Sequence, residues 1–473
     1  MARSPLGIHS PRVSPASRRA FLQRGAALGL AGVAAPWAVN LAALGEAAAA
    51  TASDYKALVC VFLYGGCDHA NLLVPYSSAQ HAQYAALRPA LAIARANLDA
   101  TALSPLAAPL DRDGVPYQYA LAPDLAPLMP HWQAGRLATV LNVGTLIHPT
   151  SKAQYQARSV PLPPKLFSHN DQQSVWQSSL PEGARSGWGG RLGDLFEAGN
   201  GKSTFTCVNV SGNAVFMAGR SAAQYQVSSS GSVPLNALRA PLFGSRAASD
   251  ALREIICAPR THLLEADHAR VVARSLEAND TLSSSLGAAP ALGTAFPAGN
   301  PLAAQLQMVA RMISVADALQ ARRQIFFVSL GGFDTHNGVL GVLPGLLGTL
   351  ADALVAFQAA LGELGVAERV TTFTASDFGR TLTGNADGSD HGWGGMQMVL
   401  GGAVRGRRHY GVAPVLANNG PDDVGQGRLL PTTSVDQLAA TLGAWFGLSD
   451  SQLLEVLPNL SHHDAGRRKL GFV

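Results

Sequence analysis

The chain has 473 residues, four cysteines, 47% apolar side chains and only 14% charged ones. That excludes a disulfide-stapled miniature fold and a disordered polyelectrolyte. The net charge of +4 resides in the first 50 residues, where Arg3, Arg12, Arg18, Arg19 and Arg24 face the single acid Glu46; subtracting these from 35 basic and 31 acidic residues leaves 30 of each, so no basic surface for nucleic acid or an anionic membrane is implied.

Residues 1–50 read as an address. Ser17-Arg18-Arg19-Ala20-Phe21-Leu22-Gln23 fits the twin-arginine export signal, in which two arginines precede a bulky apolar pair. An uncharged Ala/Gly-rich run covers 25–45, and Ala47 to Ala50 offer small-residue cleavage positions. The expectation is a periplasmic protein carried by the twin-arginine machinery. A membrane-anchored form is the alternative if the segment stays uncleaved, because the uncharged run exceeds about 18 residues. Export permits disulfides among Cys60, Cys67, Cys207 and Cys257, whose pairing the spacing does not choose. No C-x-x-C occurs, so iron–sulfur and zinc-knuckle signatures are missing.

Residues 54–473 read as one large α/β domain. Apolar, β-branched-rich runs at 57–64, 137–143, 205–210, 324–330, 369–374 and 396–400 predict strands. Helical periodicity predicts helices near 266–282 and over 301–321, 343–365 and 435–446, the last opened by a Ser434/Gln437 capping box. This alternation implies a mostly parallel central sheet with helices on both faces. A Ser/Gly/Ala-rich stretch at 211–249 breaks the pattern and is expected to form an irregular surface excursion, with a Pro/Gly/Ala loop at 287–300.

Three of the strand candidates end at a small-residue turn followed by an acid. Gly65-Gly66-Cys67 leads to Asp68, Gly331-Gly332-Phe333 to Asp334 with Thr335 and His336 behind it, and Ala375-Ser376 to Asp377. Ligands of an open parallel sheet bind at the carboxyl ends of its strands, so acids repeated there converge. With His391, beside Asp390 in the Gly-dense segment 387–395, they suit a divalent metal. Zinc or manganese fits the mixed Asp/His set best, with calcium or magnesium as alternatives. The plainer reading of each Asp is a turn-capping carboxylate. Arg380 would grip a tetrahedral oxyanion or pair with an acid. Ser168, at a helix start, is a candidate nucleophile or a simple N-cap, and His169 a base, a ligand or a structural hydrogen-bonder. No G-x-S-x-G elbow occurs, and Cys257-Ala258-Pro259-Arg260 has its Arg one place too early for a formylglycine sulfatase. An exported redox enzyme suits the signal, but G-x-G-x-x-G follows neither glycine pair.

The run from Val61 to Asp68, Leu330-Gly331-Gly332-Phe333-Asp334-Thr335-His336, Ser376-Asp377-Phe378-Gly379-Arg380-Thr381 and Asp390-His391-Gly392 together resemble the domain-of-unknown-function 1501 family of bacterial proteins. Those proteins are similar to the alkaline phosphatase and sulfatase superfamily. The resemblance implies an alkaline-phosphatase-like fold, with Asp68, Asp334, His336, Asp377 and His391 as metal ligands. Ser168 matches the nucleophile by order, while Phe378 stands where the superfamily has a His. It implies an exported hydrolase of phosphate or sulfate esters, with a small anionic ester as substrate. The alternative is a non-catalytic envelope scaffold that binds a protein partner on the same fold.

Overall fold

The computed structural model describes residues 54–232 and 235–473. The export-signal and anchor readings fall on residues 1–50, outside them. Ten strands build the central sheet: β1 Lys56–Leu63, β2 Leu137–Gly144, β3 Cys207–Asn209, β4 Tyr225–Ser228, β5 Gly231–Ser232, β6 Arg323–Leu330, β7 Val370–Ser376, β8 Gly395–Leu400, β9 His409–Tyr410 and β10 Thr433–Ser434. Their order is β9-β2-β8-β7-β1-β6-β3-β4-β5, with β10 also on β2. β1 runs parallel to both β6 and β7, whereas β8 runs antiparallel to β7 and β2. The sheet is therefore mixed and mostly parallel, and the fold is α/β.

β1 is covered on both sides, which is why its run is apolar without alternation. Ala57, Val59, Val61 and Leu63 join the core formed with helices Pro301–Ser314 and Val339–Glu363. From the opposite face Phe62 meets Trp176 edge-on, ring centroids 5.8 Å apart, and so anchors helix His169–Ser178. Helix Val339–Glu363 is apolar enough to cross a membrane, with a mean hydropathy of 1.9. It nevertheless buries Leu343, Leu347, Leu350, Leu354, Phe357 and Leu361 within the domain, one stripe at helical spacing.

The predicted strands and helices form, with shifts at their ends. The helix expected over 301–321 stops at Ser314, because the chain must reverse through a tight turn, with Gln320 at φ 52°, to enter β6. The strand expected from 205 shortens to β3, since Phe205 closes a 3-10 turn instead. The 211–249 stretch adds β4 and β5 to the sheet edge and buries Phe216 and Met217.

Register aligns the functional edge. Leu63 pairs with Leu330 on one side and Ser376 on the other, so the turns after β1, β6 and β7 leave side by side. Antiparallel β8 begins at that same edge, which places the preceding hairpin Arg380–Gly384/Ser389–His391 there too. The turns touch closely. A Cβ on Gly65 would lie 2.3 Å from the Asp334 backbone nitrogen, and Gly65 sits at φ 114°, which L side chains avoid. Gly65→Ala is therefore expected to cost more than about 1 kcal/mol in urea unfolding and to displace Asp334; wild-type stability in that variant would contradict the close approach.

Candidate metal centre

Three elements deliver the cluster. The turn after β6 carries Asp334 and His336, the end of the hairpin carries His391, and helix His169–Ser178 presents His169 at its first turn. The side-chain ligand atoms of His169, Asp334 and His391 lie within 4.8 Å of one another. His169 Nε2 and His391 Nε2 are each 3.4 Å from Asp334 Oδ1. Ligands about 2.0–2.1 Å from a tetrahedral zinc would stand about 3.3 Å apart, so these two edges fit an ion at the centre.

Hydrogen-bond partners assign the tautomers. His169 Nδ1 lies 2.7 Å from Asp377 Oδ2, an acceptor, so it carries the proton there. Its Nε2 is then the atom that could ligate an ion, and it is buried without a hydrogen-bond partner. His391 Nδ1 donates to the Phe167 carbonyl at 2.7 Å, leaving Nε2 with its lone pair; His336 Nε2 donates to it at 2.9 Å. A metal at His391 would thus displace a proton from between two imidazoles. Phe167 holds its carbonyl in place from a left-handed backbone, φ 72°, an uncommon conformation for an aromatic residue. His336 Nδ1 faces Asp390 at 3.3 Å, and Asp390 also accepts from Asn385.

Charge supports the arrangement. The hydrogen bond to Asp377 raises the His169 pKa above the ordinary value, outweighing burial. Burial lowers that of His391, which keeps its ring neutral. For Asp334 burial is the largest influence and pushes upward, but the Arg380 hydrogen bond and charge, with His169 and His336, leave its carboxyl below the usual range. Asp334 is thus charged and His391 neutral, as a cation needs, whereas His169 would give up a proton on binding one.

The family described as Protein of unknown function (DUF1501) matches residues 55–458. The chain belongs to the DUF1501 family. No curated protein matches it in sequence. Among solved structures, Ps i-CgsB in complex with k-i-k-neocarrahexaose is similar at 10% identity over 86% of this chain and 76% of that one, with a TM-score of 0.34. Ps i-CgsB on its own is similar at 9% identity over 87% and 77%, TM-score 0.36. The PsFucS1 sulfatase from Pseudoalteromonas sp. follows at 9% over 87% and 71%, TM-score 0.31. Likeness of that size says nothing about chemistry.

The DUF1501 motifs do not all point into the cluster. Asp68, expected as a ligand, is fully buried in an ion pair with Arg88 and lies outside the cluster of three. Its neighbour His69 is equally buried, with a pKa pushed down by burial to about 4. Asp377 is buried behind His169, accepting from its Nδ1 and from Gln173 Nε2 at 2.8 Å. It stands behind the cluster, holding His169, and is not one of the three close ligand atoms. Arg380 cannot grip a ligand. It is buried, with Nε and Nη2 on Ser389 and Nη1 on Gly65 O and Asp334 Oδ1. Ser168 does occupy the N-cap, yet its hydroxyl donates to Asp171 at 3.0 Å instead of capping the helix or meeting the cluster. Phe378 packs against His169 and His391, centroids 4.9 and 4.8 Å away. Gln173 carried a legible signal, four residues beyond His169 on the same helix face. The Phe167 carbonyl carried none, because backbone acceptors have no residue type.

Two outcomes test this electrostatic scheme. Removing the guanidinium in Arg88→Met should strand the buried Asp68 charge and cost about 3–5 kcal/mol, most of it regained in the double variant with Asp68→Asn. Urea unfolding of the three proteins measures it, and full additivity would speak against the pair. The raised His169 pKa contributes stability to the metal-free protein that is fully present below 6.5 and lost as pH rises through the higher folded value. Asp377→Asn should flatten that dependence and return the His169 titration, followed by NMR, toward 6.5.

Proposed function

We propose that this DUF1501 chain is an exported, metal-dependent hydrolase of phosphate or sulfate esters. The observation that carries the reading is the buried, unpartnered Nε2 of His169 aimed at Asp334 beside the lone pair of His391. These three would hold one divalent ion, zinc or manganese by donor chemistry, with His336 at the rim as a fourth donor. When bound, such an ion supplies Lewis-acid charge to an ester oxygen and acidifies a coordinated water.

The protein's own groups divide the remaining tasks. Asp377 and the Phe167 carbonyl keep the Nδ1 protons of His169 and His391, so an ion that displaces the protons at their Nε2 atoms would find both lone pairs. Arg380 braces Asp334 at 2.8 Å and fixes its oxygen toward the two histidines. His336 is 40% exposed and backed at Nδ1 by Asp390, which would leave its Nε2 to the ion. No side-chain hydroxyl among the described residues hydrogen-bonds to the triad, and Ser168 is turned to Asp171, so water is the nucleophile that fits. A scaffold without turnover draws support from one observation: Arg380 already neutralises Asp334. Export rests on the Arg18-Arg19 signal alone.

Elemental analysis of the mature protein from its native route is expected to find about one zinc or manganese ion per chain, lost in Asp334→Ala. Asp377→Asn should weaken metal binding about 10–100-fold. Metal-loaded protein should turn over members of a phosphate and sulfate ester panel. Protein that takes up no metal after ions are added would sink the hydrolase and favour the scaffold.

A further inference from the structure

We infer that Arg428 is the anion-binding residue of this centre and that its ligand is a tetrahedral oxyanion, phosphate or sulfate, presented as part of an ester. The inference rests on the metal-centre reading above and adds the group that would recognise the substrate's charge. Arg380 is unavailable for that task, since protein oxygens hold all three of its nitrogens.

Arg428 differs in each respect. It is half-buried, and its Nε donates to the His391 carbonyl at 3.0 Å. Its guanidinium lies 4.5 Å over the ring of Phe167, the residue whose carbonyl sets the His391 tautomer. One strap residue thus positions both a metal-binding histidine and this cation. Among the described residues, Nη1 and Nη2 of Arg428 donate to no protein acceptor, and no carboxylate lies within ion-pair distance of it. A guanidinium stacked on an aromatic face and tied at Nε keeps its Nη edge as a planar fork. That fork matches two oxygens of a phosphate or sulfate, and a lysine does not reproduce it.

The backbone beneath is built to hold it. Asp423 Oδ1 accepts from Gly425 N at 2.7 Å and Gly427 N at 3.0 Å. Arg428 N donates to Gly425 O, and Val424 N to Arg428 O. A Cβ on Gly427 would lie 2.8 Å from the Thr383 nitrogen, so this turn seats directly on the hairpin that carries His391. Such a braced turn gives a long side chain a fixed origin, with the His391 carbonyl it touches one side-chain length from the ligating Nε2.

The test titrates inorganic phosphate and sulfate into the cobalt-loaded protein, wild type, Arg428→Met and Arg428→Lys. Cobalt absorption follows the metal, and calorimetry follows the anion. Cobalt affinity should stay within about twofold in both variants. Phosphate affinity should fall at least tenfold in Arg428→Met, with Arg428→Lys recovering only part of it. Unchanged phosphate binding in Arg428→Met with cobalt retained overturns the assignment. Cobalt lost together with the anion would make Arg428 a brace for His391 only, and equally overturns it. If wild-type protein binds no cobalt, the metal centre fails instead; phosphate binding to the metal-free protein then decides for Arg428, and binding absent or insensitive to Arg428→Met refutes it.

Discussion

Everything at the functional edge depends on the register of three parallel strands. Because Leu63, Leu330 and Ser376 stand level, the chain can leave β1, β6 and β7 only into one shared volume. Segments almost 270 residues apart in sequence meet there without any long-range instruction beyond the pairing itself. The parallel ladder demands apolar side chains on both faces of β1, and that demand is what its Ala-Leu-Val-Cys-Val-Phe-Leu run meets. Antiparallel β8 then brings His391 from the other direction. A mixed sheet thus does what a purely parallel one could not, setting the start of one strand beside the ends of its neighbours.

Within that volume two guanidiniums settle the carboxylates. Arg88 takes Asp68 into the interior, and Arg380 leaves Asp334 at the surface with one oxygen turned to the histidines. Two acids at equivalent strand ends therefore have opposite fates, decided by where an arginine on another segment reaches. Asp377 makes a third case, spent on an imidazole whose other nitrogen is turned to the Asp334 oxygen.

This explains what the sequence disclosed and what it withheld. The sheet was legible because burial on both faces leaves continuous apolar runs, and the edge because acids follow the turns. His391 and Asp334 belonged together by the same logic. The distribution of places was hidden, since a carboxylate exposed beside two histidines and one buried behind an imidazole are the same letter. Arg88 lies 20 residues from Asp68 with no motif to join them. The Phe167 carbonyl and the seat of Arg428 depend on positive-φ backbone, which only Gly425 and Gly427 betray in the sequence. The helix overrun at 315–321 had a similar cause: apolar periodicity continued where the chain had to turn.

The arginine-neutralised framework has one further consequence. In a zinc finger the ion is the core, and taking it away unfolds the chain. Here the buried Asp68 is balanced by Arg88, a covalently attached cation, and the cluster sits only on one edge of a ten-stranded sheet. If the proposed centre takes an ion, folding and loading would therefore be separable events. Under the proposed reading, losing the ion would leave the fold standing and refillable, so the surroundings of the finished protein, rather than those of its folding, would choose the ion.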